Sequence, residues 1–372
     1  MSNAADGYPM TSRRYSRYVP GARAGALRWA AAVCAVFFYL YAAVLLSRLS
    51  RWIDLFRSPS AGDVAGAVAA AVGLAFFYAA AVYPGLLEGR SSGKVFADRS
   101  RRFLAHKAAV AGLVVFLVFI GVSLVAPLIA PCDPSAQSDP SIERYQPPSP
   151  SHPFGTDKFG RDVLSRVIYG ARVSLGIGVA AVILASLLGT LLGAASAYSG
   201  GRVDGVVMWV VDGFLSFPRL LLLLTLVAFF ANSIWLVVVV LAATGWMGFA
   251  RLVRAEVLVL KESEFVQAAV AGGAGRGRIV LRHLVPNALG TVVVAATLRF
   301  AVIVLLESYL SFLGLGVQPP TPSWGSMVFD GREVLVAAWW VSAFPGLAIV
   351  GTVVSCNLLG DGLRDALDVR MG

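Results

Sequence analysis

The sequence predicts an all-α polytopic membrane protein, and three observations predict it. First, 58% of the 372 residues are hydrophobic and only 14% are charged, whereas a soluble chain carries roughly 25% charged residues; the mean hydropathy is +0.75. Second, the apolar residues gather into eight runs, each near the ~20 residues that ~30 Å of hydrocarbon requires. Third, the basic residues behind the net charge of +10 stand at the ends of those runs. That pattern orients membrane helices and excludes a basic soluble face for nucleic acid.

Taken in order, residues 1 to about 26 are polar, with Arg13, Arg14, Arg17 and Arg23. The run Leu27 to Ser47 is too long for a signal-peptide core, and no small-residue cleavage site follows, so it is a retained helix. Val64 to Leu86 is the second run; its Ala and Gly let helices approach closely. A basic stretch, Arg90 to Lys107, precedes the third span, Ala108 to Ile129, which Pro131 and Pro134 should stop. The polar region from Ala130 to Arg172 is Pro/Ser-rich and irregular in its first half. Its second half has apolar residues at helical spacing (Val163, Leu164, Val167, Ile168), a short amphipathic helix capped near Asp162. The remaining runs are Val173 to Ala197, Val206 to Phe230, Ile234 to Ala250, Ala288 to Tyr309 and Val334 to Leu359. Pro218 and Pro345 should kink their helices.

Lysine and arginine set the orientation. With the N-terminus inside, the inner segments hold about 20 of them and the outer about 9, so both termini and residues 251–287 face the cytoplasm. Cys34, Cys132 and Cys356 lie in or beside different runs with no paired spacing, and the three histidines are scattered. No HExxH, phosphate-binding or nucleophile-elbow pattern occurs, so no catalytic residue and no metal ligand is assigned; His283 has no ligand-type neighbours.

The stretch Glu264 to Asn287, EFVQAAVAGGAGRGRIVLRHLVPN, is polar, basic and broken by glycines between two apolar runs. Val266 to Ala271 suits a short helix with Ala268 and Ala269 as a low contact strip. Gly272, Gly273 and Gly275 allow a turn, and Pro286 sets how the next span begins. From these residues alone a flexible basic connector is an equal alternative. However, Gln267-Ala268-Ala269, then Gly273, then His283-Leu284-Val285-Pro286, resembles the EAA loop of ABC-importer permeases. RRFLAHKAAVAGLVVF, HPFGTDKFGRDVLSRVIYGARVSLGIG, LSFPRLLLLL, ESYLSFLGLGVQPPTPSWGSMV and FPGLAIVGTVVSCNLLGDGLRDALDVR resemble, in order, the dipeptide/oligopeptide/nickel class of that family. Gln267 stands where the family usually has Glu, and Val285 where Leu is common.

The resemblance implies a six-helix permease core, residues 98–372; the two transmembrane helices read from the apolar runs in residues 1–97 are additional to it. It implies a non-enzymatic subunit of the prokaryotic plasma membrane. Its expected partners are a second permease subunit, two cytoplasmic ABC ATPases that bind ATP and magnesium, an extracytoplasmic peptide-binding protein, and lipid. The cargo would be peptides, with nickel or another small solute as the alternative; an ion-gradient-driven carrier is the rival class. Gln267, Ala268, Ala269, Gly273, His283 and Pro286 would couple to the ATPase.

Within the spans, Arg219, Arg299 and Glu307 are candidates for a polar translocation path. Snorkelling or interior ion pairing is the alternative for each. Arg299 and Glu307, eight residues apart, are ~12 Å apart in rise and should not pair directly. Leu310 to Gly325 should form a fixed turn outside, and the Pro-rich outer region a solvated loop.

Overall fold

A computed structural model of the protein describes residues 100–137, 143–230 and 233–367. All belong to one compact unit, Pro59–Gly372. The two N-terminal spans expected from the sequence lie outside the described residues.

The described residues are helical, with one isolated bridge between Thr156 and Asp162. In chain order the helices are α1 (Lys107–Leu124), α2 (Ala126–Ile129), α3 (Val163–Ser199), α4 (Gly201–Leu215), α5 (Arg219–Phe229), α6 (Ile234–Ala243) and α7 (Trp246–Leu260). They continue with α8 (Glu264–Ala271), α9 (Arg276–Ile279), α10 (Val285–Phe312), α11 (Trp324–Gly331) and α12 (Trp340–Leu367). A π-helical turn, Val280–Leu284, joins α9 to α10 without a break. Among the described residues five segments are long and apolar enough to cross a bilayer, and the bent pair α4–α5 makes up to six.

Helix α3 is the mast. It touches α1, α6, α7, α10 and α12, and its inward residues, among them Leu175, Ile177, Ala181 and Ala185, belong to the main apolar cluster. Small residues set the closest seams. A Cβ on Gly112 of α1 would lie 2.7 Å from the Ser355 carbonyl oxygen of α12, and one on Gly178 of α3 would lie 2.9 Å from the Phe300 ring of α10. This is how helices associate where lipid removes the hydrophobic drive between them. The opposite faces are apolar and exposed: Leu184, Leu187, Leu188 and Leu191 on α3, Leu347, Val350 and Val354 on α12. Stripes of that length suit hydrocarbon, not water.

Several expected boundaries move, each for a local reason. The third span ends at Leu124, before Pro131, because Pro127 sits in the first turn of α2 and cannot donate to a preceding carbonyl. The amphipathic helix at Asp162 and the span after it are one 37-residue helix, and Asp162 caps it by accepting from the Ser165 N–H. The run Val206 to Phe230 is broken by 88° between Leu215 and Arg219, at Pro218. The sixth run continues to Leu260, since Val253 and Val257 keep the buried face going after the apolar run stops. The last span begins at Trp340, not Val334; Arg332–Val334 is a single 3-10 turn. The expected outer turn, Leu310 to Gly325, runs into the start of α11, which a capping box of Ser323 and Ser326 opens.

Candidate functional site

Three polar groupings are distributed along the bundle. The first is the segment after α7. Residues 251–287, expected as a loop, are mostly helical. Helix α8 carries a single buried residue, Val266, and leaves Phe265, Ala268 and Val270 exposed. Gln267 is exposed and donates to the Glu262 carbonyl at 3.0 Å. Ala269 is half-buried, and its carbonyl accepts from the Ala274 N–H, closing the turn. Gly273 has φ +76° with nothing within 4 Å of a Cβ there, so the backbone angle and not packing demands glycine. The chain then returns through α9, anchored by buried Ile279 and Leu284.

His283 lies inside the π turn, half-buried, and its carbonyl accepts from the Asn287 amide. The π turn has a cause in the sequence. Pro286, in the first turn of α10, has no N–H to offer the preceding turn, and its ring would crowd a carbonyl four residues back. The Val285 N–H bonds to Val280 instead, five residues back. Beside α8 opens a cleft of about 540 Å³ lined in part by Tyr198, Ser199, Lys261, Gln267 and Arg276. The structure therefore brings the six expected residues into one helix–turn–helix unit at the Ser199 end of α3. Phe265 and Val270, exposed apolar residues on that unit, were missed. The signal was available: a short helix buries one face, so apolar residues off the Val266 face must stand out from it.

The second grouping holds the mid-span charges. Arg299 stacks on the Phe249 ring, 4.9 Å from its centre. Arg219 donates one long bond, 3.4 Å, to the Leu241 carbonyl, and its Nε is buried without a partner. Both press on α7, where Cβ atoms on Gly245 and Gly248 would lie 3.2 Å from Arg219 Nη2 and 2.7 Å from the Arg299 guanidinium carbon. Glu307 is elsewhere: it is 0% exposed, accepts from the Ser311 hydroxyl at 2.8 Å, and has no contact with Arg299 among the described ion pairs and hydrogen bonds. The expected absence of an Arg299–Glu307 pair holds.

The third grouping caps the opposite end, where a solvated loop was expected. Asp157 accepts from Arg161 at 2.7 Å and faces Arg166 at 3.5 Å, while Asp330 of α11 pairs with Lys158 at 2.7 Å and lies 3.8 Å from both arginines. Trp324 donates to the Val167 carbonyl at 3.0 Å, and Trp340 to the Thr156 carbonyl at 3.2 Å. The loop from His152 to Asp162 is thus part of the packed body. At the lever end, Arg254 of α7 grips Asp204 of α4 with two bonds, 2.6 and 2.5 Å. No group of three or more metal-ligating residues occurs among the described residues.

Residues 185–372 match the family described as binding-protein-dependent transport system inner membrane component, and residues 95–148 match the N-terminal TM domain of oligopeptide transport permease C. Among curated proteins, the chain is similar to the dipeptide transport system permease protein DppC of Alkalihalophilus pseudofirmus, 42% identical over 72% of this chain and 87% of that one. It is also similar to the oligopeptide transport system permease proteins OppC of Escherichia coli, 42% identical over 76% and 93% of the two chains, and of Haemophilus influenzae, 41% identical over 76% and 90%.

Proposed function

The chain belongs to the family of binding-protein-dependent transport system inner membrane components, and from that membership we propose that it forms half of the translocation path of an ATP-driven importer of dipeptides and oligopeptides. The cargo class comes from the dipeptide and oligopeptide transport named for its relatives. The basic-residue bias supports a cytoplasmic position for both termini and Glu264–Asn287 in a prokaryotic plasma membrane protein. Residues 98–372 are the permease domain, and residues 1–97 an extension. A second permease subunit completes the path, two ATPases bind ATP and magnesium below it, and a peptide-binding protein delivers cargo from outside.

One observation carries the coupling role. Helix α8 is a short rigid rod pinned to the bundle by Val266, with Phe265, Ala268 and Val270 facing outward and a left-handed Gly273 as its elbow. An ATPase that grips the exposed strip can swing the rod and, through α9 and the π turn, move α10. Gln267 keeps an acceptor oxygen on that strip without the charge of Glu.

The test is Gly273→Val. Any L side chain at φ +76° costs roughly 1–2 kcal/mol, and with no clash the change alters the elbow alone. Peptide uptake by cells should collapse while the protein stays in the membrane. Uptake at the unmodified rate would defeat the coupling role, as would labelling of His283 from outside the cell.

A further inference from the structure

We propose that Arg219 and Arg299 form a carboxylate-binding station midway across the membrane that receives the C-terminal carboxylate of the cargo; this rests on the peptide cargo proposed above. Arg299 stands near the middle of α10, which spans Val285–Phe312, so it is about 20 Å from either end of the helix. Lipid phosphates do not reach that depth. A charge there is costly unless something compensates it.

Among the described residues neither arginine has a carboxylate partner; the ion pair next to them, between exposed Arg251 of α7 and Asp212 of α4, lies one turn beyond Gly248 and uses both of its own charges. What holds the two arginines leaves their donors open. Arg299 lies over the Phe249 ring, with its terminal nitrogens against Gly248, and neither contact supplies an acceptor for its N–H groups. Arg219 spends one weak bond on Leu241 and leaves its Nε without a partner. Gly245, just before α7, and Gly248 within it put the two groups against a wall without side chains, three residues and about 4.5 Å of rise apart. That is the spacing at which two planar forks can share one carboxylate. Both arginines are only partly buried, so neither is sealed inside this chain. Every unmodified peptide has a terminal carboxylate whatever its sequence, so a station reading that group suits cargo of varied side chains.

The experiment uses the complete importer in proteoliposomes with ATP, and compares uptake of trialanine with that of its C-terminal amide. The same binding protein is present throughout, so a change in the acid-to-amide ratio between variants reports on the membrane station. Wild type should favour the acid. Arg299→Gln should lower the ratio roughly tenfold, the size expected for one charge-assisted hydrogen bond. Arg219→Gln provides the same test if the first variant does not assemble. An unchanged ratio in both variants overturns the proposal. So does equal loss of both peptides together with loss of the second permease subunit from the purified complex, which would assign the arginines to an acid of that subunit. If wild type takes up neither form, the peptide reading itself fails and the station falls with it.

Discussion

The seam between α3 and α7 makes the sharpest prediction about how the lever is held. A Cβ on Gly193 would lie 2.9 Å from the Ala250 Cα and 3.0 Å from its carbonyl carbon; one turn earlier, a Cβ on Gly189 would lie 2.5 Å from the Trp246 carbonyl oxygen. These neighbours are helix backbone and cannot rotate aside. Carbon atoms settle at about 3.5–4.0 Å, so Gly193→Ala forces the helices apart by roughly 0.5–1 Å, and Gly193→Val by more. Overpacking of this kind costs about 1–3 kcal/mol.

The displacement grows along α7. If the helix pivots at the Thr244–Gly245 break, about 1 Å at Ala250 becomes about 3 Å at Leu260, where the chain passes to α8. Gly193→Val should therefore lower the thermal unfolding midpoint in detergent by a few degrees. In the reconstituted importer it should leave ATP hydrolysis running with little peptide uptake, and Gly193→Ala should fall between. Gly205→Val is the control, because nothing lies within 4 Å of a Cβ there. If the Gly193 and Gly205 variants share one midpoint and one uptake rate, backbone contact at this seam does not hold the lever.

Two further perturbations separate stability from coupling. Pro286→Ala restores an N–H and removes the cause of the π turn; taking out one extra residue rotates α9 by about 100° against α10. That variant should be as stable as wild type or more so in a detergent melt, yet transport poorly, and wild-type uptake would refute the role given to the turn. Asp157→Ala strips an acid from two nearly buried arginines, whose side chains are 5% and 4% exposed. Breaking a buried pair from one side costs about 3–5 kcal/mol, and replacing Arg161 by Met in the same chain should recover part of the lost midpoint.

The spans were legible because hydropathy records which residues meet lipid, and lipid contact is what an apolar run reports. Helix ends were less legible for the same reason. Val253 and Val257 carry α7 past the last apolar residue of its run on a buried face that mean hydropathy does not see. Pro127 was passed over beside the more conspicuous Pro131, although its position one turn earlier decides where α1 stops. The lever was legible in outline through Gly273 and Pro286, each of which limits the backbone locally. Phe265 and Val270 became visible only once Val266 showed which face of α8 is inside. The cap around Asp157 and Asp330 joins residues 173 positions apart, and no local pattern encodes such a pairing.

The charged groups of the bundle differ in what compensates them, and that difference sorts them by role. At the Asp157 end, acids and bases of the same chain neutralise one another, which fixes geometry even though Arg166 Nη1 has no hydrogen bond. At the α4–α7 contact, Asp204 and Arg254 do the same for the helix that leads to the lever. Arg219 and Arg299, at the depth where an isolated charge is most costly, have a ring, a long bond to one carbonyl and bare glycines as surroundings. Structural charges in a bundle are answered from within the chain; a charge left unanswered at mid-depth needs an answer from outside it. The acid-to-amide ratio asks whether that answer travels with the cargo.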